Sequence, residues 1–463
     1  MSGPAAGRSA GPVQAAQIGP REVLGLAVPA FVALVAEPLF LLVDSAVVGH
    51  LGTVPLAALG VASAVLLTAV NLFVLLAYGT TGSVARQVGA GSAAGAVAAG
   101  LAGIWLAAGI GVLVAGVLAV GAGVFAGAFG ASGAVTDVAG TYLRISAIGV
   151  PAMFLVLAAT GVLRGLQDTR TPMVVATVGF TGNAALCLWF VRGLGWGVPG
   201  SAWATVIAQW VMAAALLGVV GRRAAAAGAG LGPDLGAVVR AFGGGVPLLV
   251  RTIALRAVLL LTVWVAARFG DVPLAAHQVT ATIWSTLTFA LDALAIAAQA
   301  LTGRALGAGD VRGTRAATDL MVRWGMWGGV ALGVVVLALA PALPSAFTPD
   351  PAVRAAIAAA LVVVAVTQPL SGYVFVVDGV LIGAGDGRWL AVASVVQLVA
   401  YLPVVGLVLV VGRGVEDGAW GLAGAAAVTA LLWVGFTGFM LVRAVLLRHR
   451  VRGDAWAVTG ATR

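Results

Sequence analysis

Four carboxylates interrupt stretches of sequence that are otherwise apolar: Glu37, Asp44, Asp292 and Asp378. A charged side chain in the middle of a hydrophobic run costs about 2.5–3.5 kcal/mol on insertion scales, so it normally faces a cavity and binds an ion, a proton or an opposite charge. Glu37 and Asp44 are seven residues apart, a spacing that returns to nearly the same helix face, about 20° off after two turns. Both can line one cavity, where a carboxyl group alternating between water and a closed apolar space takes up and releases a proton. Asp292 and Asp378 share the second half of the chain with Arg251 and Arg256. That set reads in two ways, as a fixed network of ion pairs or as a substrate site. Asn183, Thr160 and Thr205 add neutral polar groups in apolar runs. An amide carbonyl such as that of Asn183 can coordinate a cation or accept from a protonated carboxyl, whereas intramembrane Thr more often serves as glue between helices.

Other chemistry lacks its residues. The one cysteine, Cys187, lies inside an apolar run, and the three histidines, His50, His277 and His449, are far apart without carboxylates at ligand spacing, so no metal site or redox pair is expected. The chain has no lysine and therefore no Walker A phosphate loop. No cofactor is expected, and the protein does not read as an enzyme.

The elements that must position these groups follow from composition. Of 463 residues 61% are hydrophobic and 9% charged, with mean hydropathy +1.10, against roughly 25% charged in a soluble domain. Apolar runs at 23–49, 58–81, 97–129, 138–161, 172–191, 199–221, 241–267, 276–300, 318–346, 356–380, 390–411 and 419–446 are each long enough to span a bilayer. The expected fold is an all-α integral membrane protein of twelve transmembrane helices. All 25 basic residues are Arg, and the formal net charge is +9. They sit at alternate connections rather than on one face, which excludes a nucleic-acid binder. With both termini inside, inner segments hold 17 Arg and outer ones four, the bias expected of a multi-pass cell-membrane protein with cytoplasmic termini.

Laying the second half over the first at a constant offset of 218 residues aligns LGTVPLAALGVA (51–62) with FGDVPLAAHQVT (269–280), RQVGAG (86–91) with RALGAG (304–309), and GVLRGLQDTR (161–170) with GVLIGAGDGR (379–388). Six helices per repeat is an even number, so the two halves are expected to be lobes related by a pseudo-two-fold axis along the membrane normal. The expected division is a disordered cytoplasmic tail at 1–22, an N-lobe at 23–221, a linker at 222–240, a C-lobe at 241–446 and a basic tail at 447–463. Such duplicated bundles suit a secondary transporter working by alternating access. The repeat also separates scaffold from chemistry. Arg86 and Arg304, or Asp168 and Asp386, occur in both halves, whereas Glu37 faces Leu255, Asp44 faces Thr262, Asp292 faces Val74 and Asp378 faces Thr160.

The motifs LVDSAVVGHLGTVPLAALG (42–60), GVLRGLQDTRTP (161–172), GSAWAT (200–205) and LAAHQV (274–279), in this order and spacing, resemble those of the multidrug and toxic compound extrusion (MATE) transporters, in particular their DinF-like branch. The resemblance covers about residues 20–446. It implies export of an amphipathic, often cationic, drug or metabolite in exchange for protons or sodium. It further implies that Asp44 is the residue on which N-lobe coupling is centred, that Asn183, Thr205 and Thr160 contribute to that site, and that Asp378 matches a C-lobe aspartate used by some branches. Two departures stand out: Cys187 replaces the second N-lobe acid, and Phe40 stands where some members have Tyr. Glu37 is the candidate replacement acid, and the shortage of oxygen ligands favours a proton over sodium. The alternative is a lipid-linked precursor flippase, which would use Arg251, Arg256 and Arg144 to hold a phosphate. A two-lobed chain is expected to work as a monomer in the bilayer.

Overall fold

A computed structural model describes residues 19–128, 132–418 and 422–461; the side chains of residues 37, 39–42, 75, 415–418 and 422 lie outside that description. Among the described residues the chain is helical throughout, without strands. The N-lobe holds α1 (Pro20–Gly49), α2 (Thr53–Leu72), α3 (Leu75–Gly89), α4 (Ala93–Gly127), α5 (Gly133–Ala147), α6 (Val150–Gly165), α7 (Arg170–Leu188) and α8 (Gly197–Ala226). The C-lobe holds α9 (Leu235–Arg268), α10 (Asp271–Gly307), α11 (Val311–Leu339), α12 (Pro351–Gly383), α13 (Gly387–Gly418) and α14 (Leu422–Arg452).

Among the described residues ten helical segments are long and apolar enough to cross a membrane, with α2 and α3 counted as one, and the bent pair α5 and α6 makes an eleventh. The 30-residue α1, which carries Glu22, Glu37 and Asp44, completes twelve. The expected continuous spans at 58–81 and 138–161 are each two helices. Between α5 and α6 the axis turns by 50°, just before Pro151, which has no N–H to give to the preceding turn. Proline alone does not decide this, because α12 runs unbroken through Pro369 at the equivalent position. In the N-lobe the indole of Trp210 donates to the Ile148 carbonyl at 3.1 Å, satisfying a group that the bend takes out of the helix ladder.

The 218-residue register holds in three dimensions. Helices begin at 53 and 271, 93 and 311, and 133 and 351, and end at 89 and 307 and at 165 and 383. Ser92 and Asp310 cap their helices in the same way, accepting from Gly95 N and Gly313 N. Gln167, with φ of 62°, occupies the left-handed position filled by Gly385 in the second repeat.

The lobes close on each other at the face where α1 begins and α14 ends. Arg304 forms an ion pair with Glu22 and donates to Gln167 at 2.6 Å, and Arg86 reaches the Ala384 carbonyl at 2.8 Å. Farther in, Gln299 donates to the Tyr78 carbonyl at 2.5 Å.

The segment boundaries differ from those read off composition. The linker is shorter, since α8 runs to Ala226 and α9 starts at Leu235. The last segment is not a free tail: α14 continues to Arg452, Trp456 is fully buried, and Arg86 holds the Val458 and Gly460 carbonyls at 2.7 and 2.9 Å. An indole and a cationic donor anchor what charge alone marked as solvated.

Candidate functional sites

In the N-lobe, Asp44 lies one and a half turns before the end of α1 and is 2% exposed. Its Oδ1 accepts from the Ser201 hydroxyl at 2.5 Å and from the Cys187 thiol at 3.1 Å. Ser201 leads to Thr205, whose hydroxyl donates to the Ser201 carbonyl at 3.1 Å, and the Asn183 amide donates to Thr205 Oγ1 at 3.4 Å. Asn183 Oδ1 is buried and has no hydrogen-bond partner among the described residues. Buried Tyr142 on α5 stands beside Asp44, Ser201 and Thr205. Among the described residues no arginine lies within ion-pair distance of Asp44 (4.0 Å).

The structure therefore gathers Asp44, Asn183 and Thr205 and adds Ser201 and Tyr142, which sequence reasoning did not single out. Ser201 sits inside the GSAWAT motif, but its facing depends on the rotation of α8. Thr160 is not joined to this group. It lies five residues before the end of α6 at the terminal face, while Asp44 lies toward the opposite end of α1. The side chain of Glu37 lies outside the described residues, as does that of Phe40.

The second site is a cavity of about 170 Å³ where the C-lobe meets the N-lobe. Arg251 on α9 forms an ion pair with Asp378 on α12, and Arg443 on α14 reaches the same oxygen at 3.0 Å. All three are buried. Asp292 on α10 lines the cavity with Tyr78 of α3, and no arginine lies within ion-pair distance of it among the described residues. Arg251 and Arg443 line the same cavity. Trp284, Phe375 and Phe436 complete the wall, Trp284 meeting Phe436 edge-on at 5.3 Å.

Two sequence assignments are corrected here. Arg256 does not join this cluster: it is exposed on α9, one turn from Arg251 but rotated away from Asp378. Arg86, Arg164 and Arg443, three of the 17 arginines that the sequence assigns to inner segments, are buried at 3%, 8% and 8% exposure. Their positions near span ends gave them an interfacial character in the sequence, whereas α3, α6 and α14 run on to Gly89, Gly165 and Arg452 and keep them within packed helices.

Twelve spans in two lobes of one register, each with a buried carboxylate, define a two-lobed membrane transporter fold. The MatE family model matches residues 29–189 and again residues 247–407, both limits 218 apart. The chain belongs to the MatE family of multidrug and toxic compound extrusion transporters. It is 33% identical over 455 residues to the probable multidrug resistance protein NorM of Deinococcus radiodurans, covering 93% of this chain and 96% of that one. It is 33% identical over 297 residues to the DNA damage-inducible protein F of Escherichia coli, covering 62% and 63%. The fold matches that of the Vibrio cholerae MATE transporter VcmN in its bent form with a TM-score of 0.83 at 20% identity, over 94% of this chain and 98% of that one.

Proposed function

We propose that this transporter is a cell-membrane antiporter, both termini cytoplasmic, that exports an amphipathic small molecule in exchange for protons taken up at Asp44. One observation carries this reading: among the described residues the partners of buried Asp44 are neutral, the Ser201 hydroxyl and the Cys187 thiol. A buried carboxylate without a counter-charge is costly, and binding a proton removes the cost. The unpartnered Asn183 Oδ1 offers a nearby acceptor. Sodium is the alternative ion, but the contacts around Asp44 are donors, and Cys187 puts a thiol where a second carboxylate would supply oxygens. Nothing in this cycle calls for a second copy of the chain.

The flippase alternative gains less support. Arg251 is engaged by Asp378, while Arg256 and Arg144 are exposed on separate helices rather than gathered around a phosphate.

The test is substrate-dependent proton flux in proteoliposomes, wild type against Asp44→Asn, with amphipathic compounds of both charge signs under imposed pH or sodium gradients. Efflux driven by a pH gradient and lost in Asp44→Asn supports the reading. Efflux following sodium replaces the ion, and absence of gradient-coupled efflux overturns antiport.

A further inference from the structure

We propose that residues 453–461 are an inter-lobe latch, a strap of the C-lobe that binds Arg86 and Gln87 of the N-lobe and holds shut the face where α1 begins and α14 ends. The latch rests on the alternating-access reading for its place in transport, and it adds to that reading a device that regulates when this face opens.

The strap has two halves. From the end of α14 at Arg452 the first half is fixed to the C-lobe. Arg315 on α11 donates to the Gly453 carbonyl at 3.1 Å and forms an ion pair with Asp454, and fully buried Trp456 donates to the Val451 carbonyl at 2.9 Å. The second half crosses the seam between the lobes. Arg86 on α3 donates to the Val458 and Gly460 carbonyls at 2.7 and 2.9 Å, and Gln87 donates to the Ala461 carbonyl at 3.4 Å. Gly460 N donates to the Leu306 carbonyl of α10 at 3.1 Å, so the strap lies where α3 and α10 end against each other.

The two sides of the seam are fastened differently. Arg304, the repeat equivalent of Arg86, takes its ion pair from Glu22 on α1. Seven residues before the matched Pro29 and Pro247, α1 carries Glu22 whereas α9 carries Arg240, which is exposed and lies 3.9 Å from Asp234 at the start of its own helix. The second repeat thus has a cation where the first has the acid, and main-chain carbonyls of the strap meet the guanidinium of Arg86 instead. Hydrogen bonds from a charged donor are stronger than neutral ones, which gives the strap a firm hold on a buried side chain of the other lobe.

The attachment is also of a kind that lets go. Beyond Trp456 the side chains of Val458 and Thr459 are exposed, so the crossing half is held by hydrogen bonds to its main chain rather than by burial. Segments with few buried apolar contacts open at low free energy. Trp456 stays anchored in the core, so the crossing half can lift without either lobe unfolding. The same anchor keeps the strap on the C-lobe, and parting α3 from α10 therefore breaks its contacts with Arg86 and Gln87. Contacts made in one state only shift the equilibrium toward that state, here toward the closed face.

The test uses the transporter in nanodiscs without substrate or gradient, so its result and that of the flux assay are independent. Ala85 is fully buried against Gly303 of the opposite lobe. In an Ala85→Cys background, the rate at which a charged maleimide alkylates residue 85, read by mass spectrometry, follows the fraction of time the seam is open. Ending the chain after Ala457 keeps Trp456 and removes the crossing half. Alkylation is then expected to speed up at least about fivefold, the size of shift that losing one or two net hydrogen bonds produces, with the unfolding temperature little changed. Gly460→Val keeps the full chain but puts a side chain at a φ of 111°, a conformation that favours glycine, and is expected to shift alkylation in the same direction by a smaller factor. An alkylation rate unchanged by the truncation overturns the latch and leaves the strap as a packed chain end. Where the truncated chain does not fold or melts earlier, Gly460→Val decides, and an unchanged rate there overturns the latch in the same way.

Discussion

Gly89 and Gly307 hold equivalent places in the two repeats, and each lies against the backbone of the opposite lobe. A Cβ on Gly89 would sit 1.9 Å from the Arg304 carbonyl oxygen, and one on Gly307 would sit 2.1 Å from that of Arg86. Arg86 and Arg304 are themselves equivalent, so the contact is reciprocal, as across a two-fold axis. The same two arginines then reach past the glycines to the opposite lobe, one to Ala384 and the other to Gln167 and Glu22. The closed face of the transporter is thus built from one motif used twice.

Gly89→Ala is expected to prise this face open. The clash is with main chain, which cannot rotate away, and overpacking of this kind costs about 1–3 kcal/mol, or roughly a five- to hundredfold shift in a conformational equilibrium. Efflux from proteoliposomes should fall by a similar factor. Gly60→Ala, whose Cβ would meet nothing within 4 Å, should leave it unchanged.

Ser201→Ala removes the 2.5 Å hydrogen bond to Asp44 and leaves the Cys187 thiol as the remaining donor named on that oxygen. Loss of a buried partner to a charged group costs about 1–3 kcal/mol. Thermal unfolding in detergent should show this loss, and Ser201→Thr, which keeps the hydroxyl, should recover most of it.

Cys187→Asp places a second carboxyl where a thiol now contacts Asp44 at 3.1 Å. Two acids at that distance share a proton or gather a cation, and added oxygen ligands favour a metal ion. Sodium-gradient-driven efflux, measured against wild type, should appear or increase several-fold.

Asp378→Ala leaves the Arg251 and Arg443 guanidiniums buried without the carboxylate both of them contact. Breaking a buried ion pair from one side costs about 3–5 kcal/mol. The melting temperature should fall more than in Arg443→Gln, which removes one of two cations and spares the pair.

Trp456→Ala tests the anchoring of the last segment. The indole is fully buried and donates to the Val451 carbonyl at 2.9 Å, so truncation should cost about 3–5 kcal/mol. A basic tail free in water would show no change in unfolding temperature.

What the sequence alone determined is what depends on the identity and spacing of residues along the chain. Apolar runs long enough for a bilayer, a register of 218 residues and carboxylates that break that register were all legible, because hydropathy and repetition are one-dimensional. They sufficed for the twelve spans, the two lobes and the family, and they singled out Asp44 as a candidate. The tertiary structure decided which groups meet. Asp44 finds Ser201 across 157 residues and Arg251 finds Asp378 across 127, contacts set by the rotation and depth of each helix in its bundle. Arg256 and Arg443 show the difference. Arg256 shares a helix with Arg251 but turns away from Asp378, whereas Arg443 has the sequence position of an inner anchor and yet enters the bundle. A helix face has a period that sequence reveals; the neighbour it faces is chosen only when the helices pack.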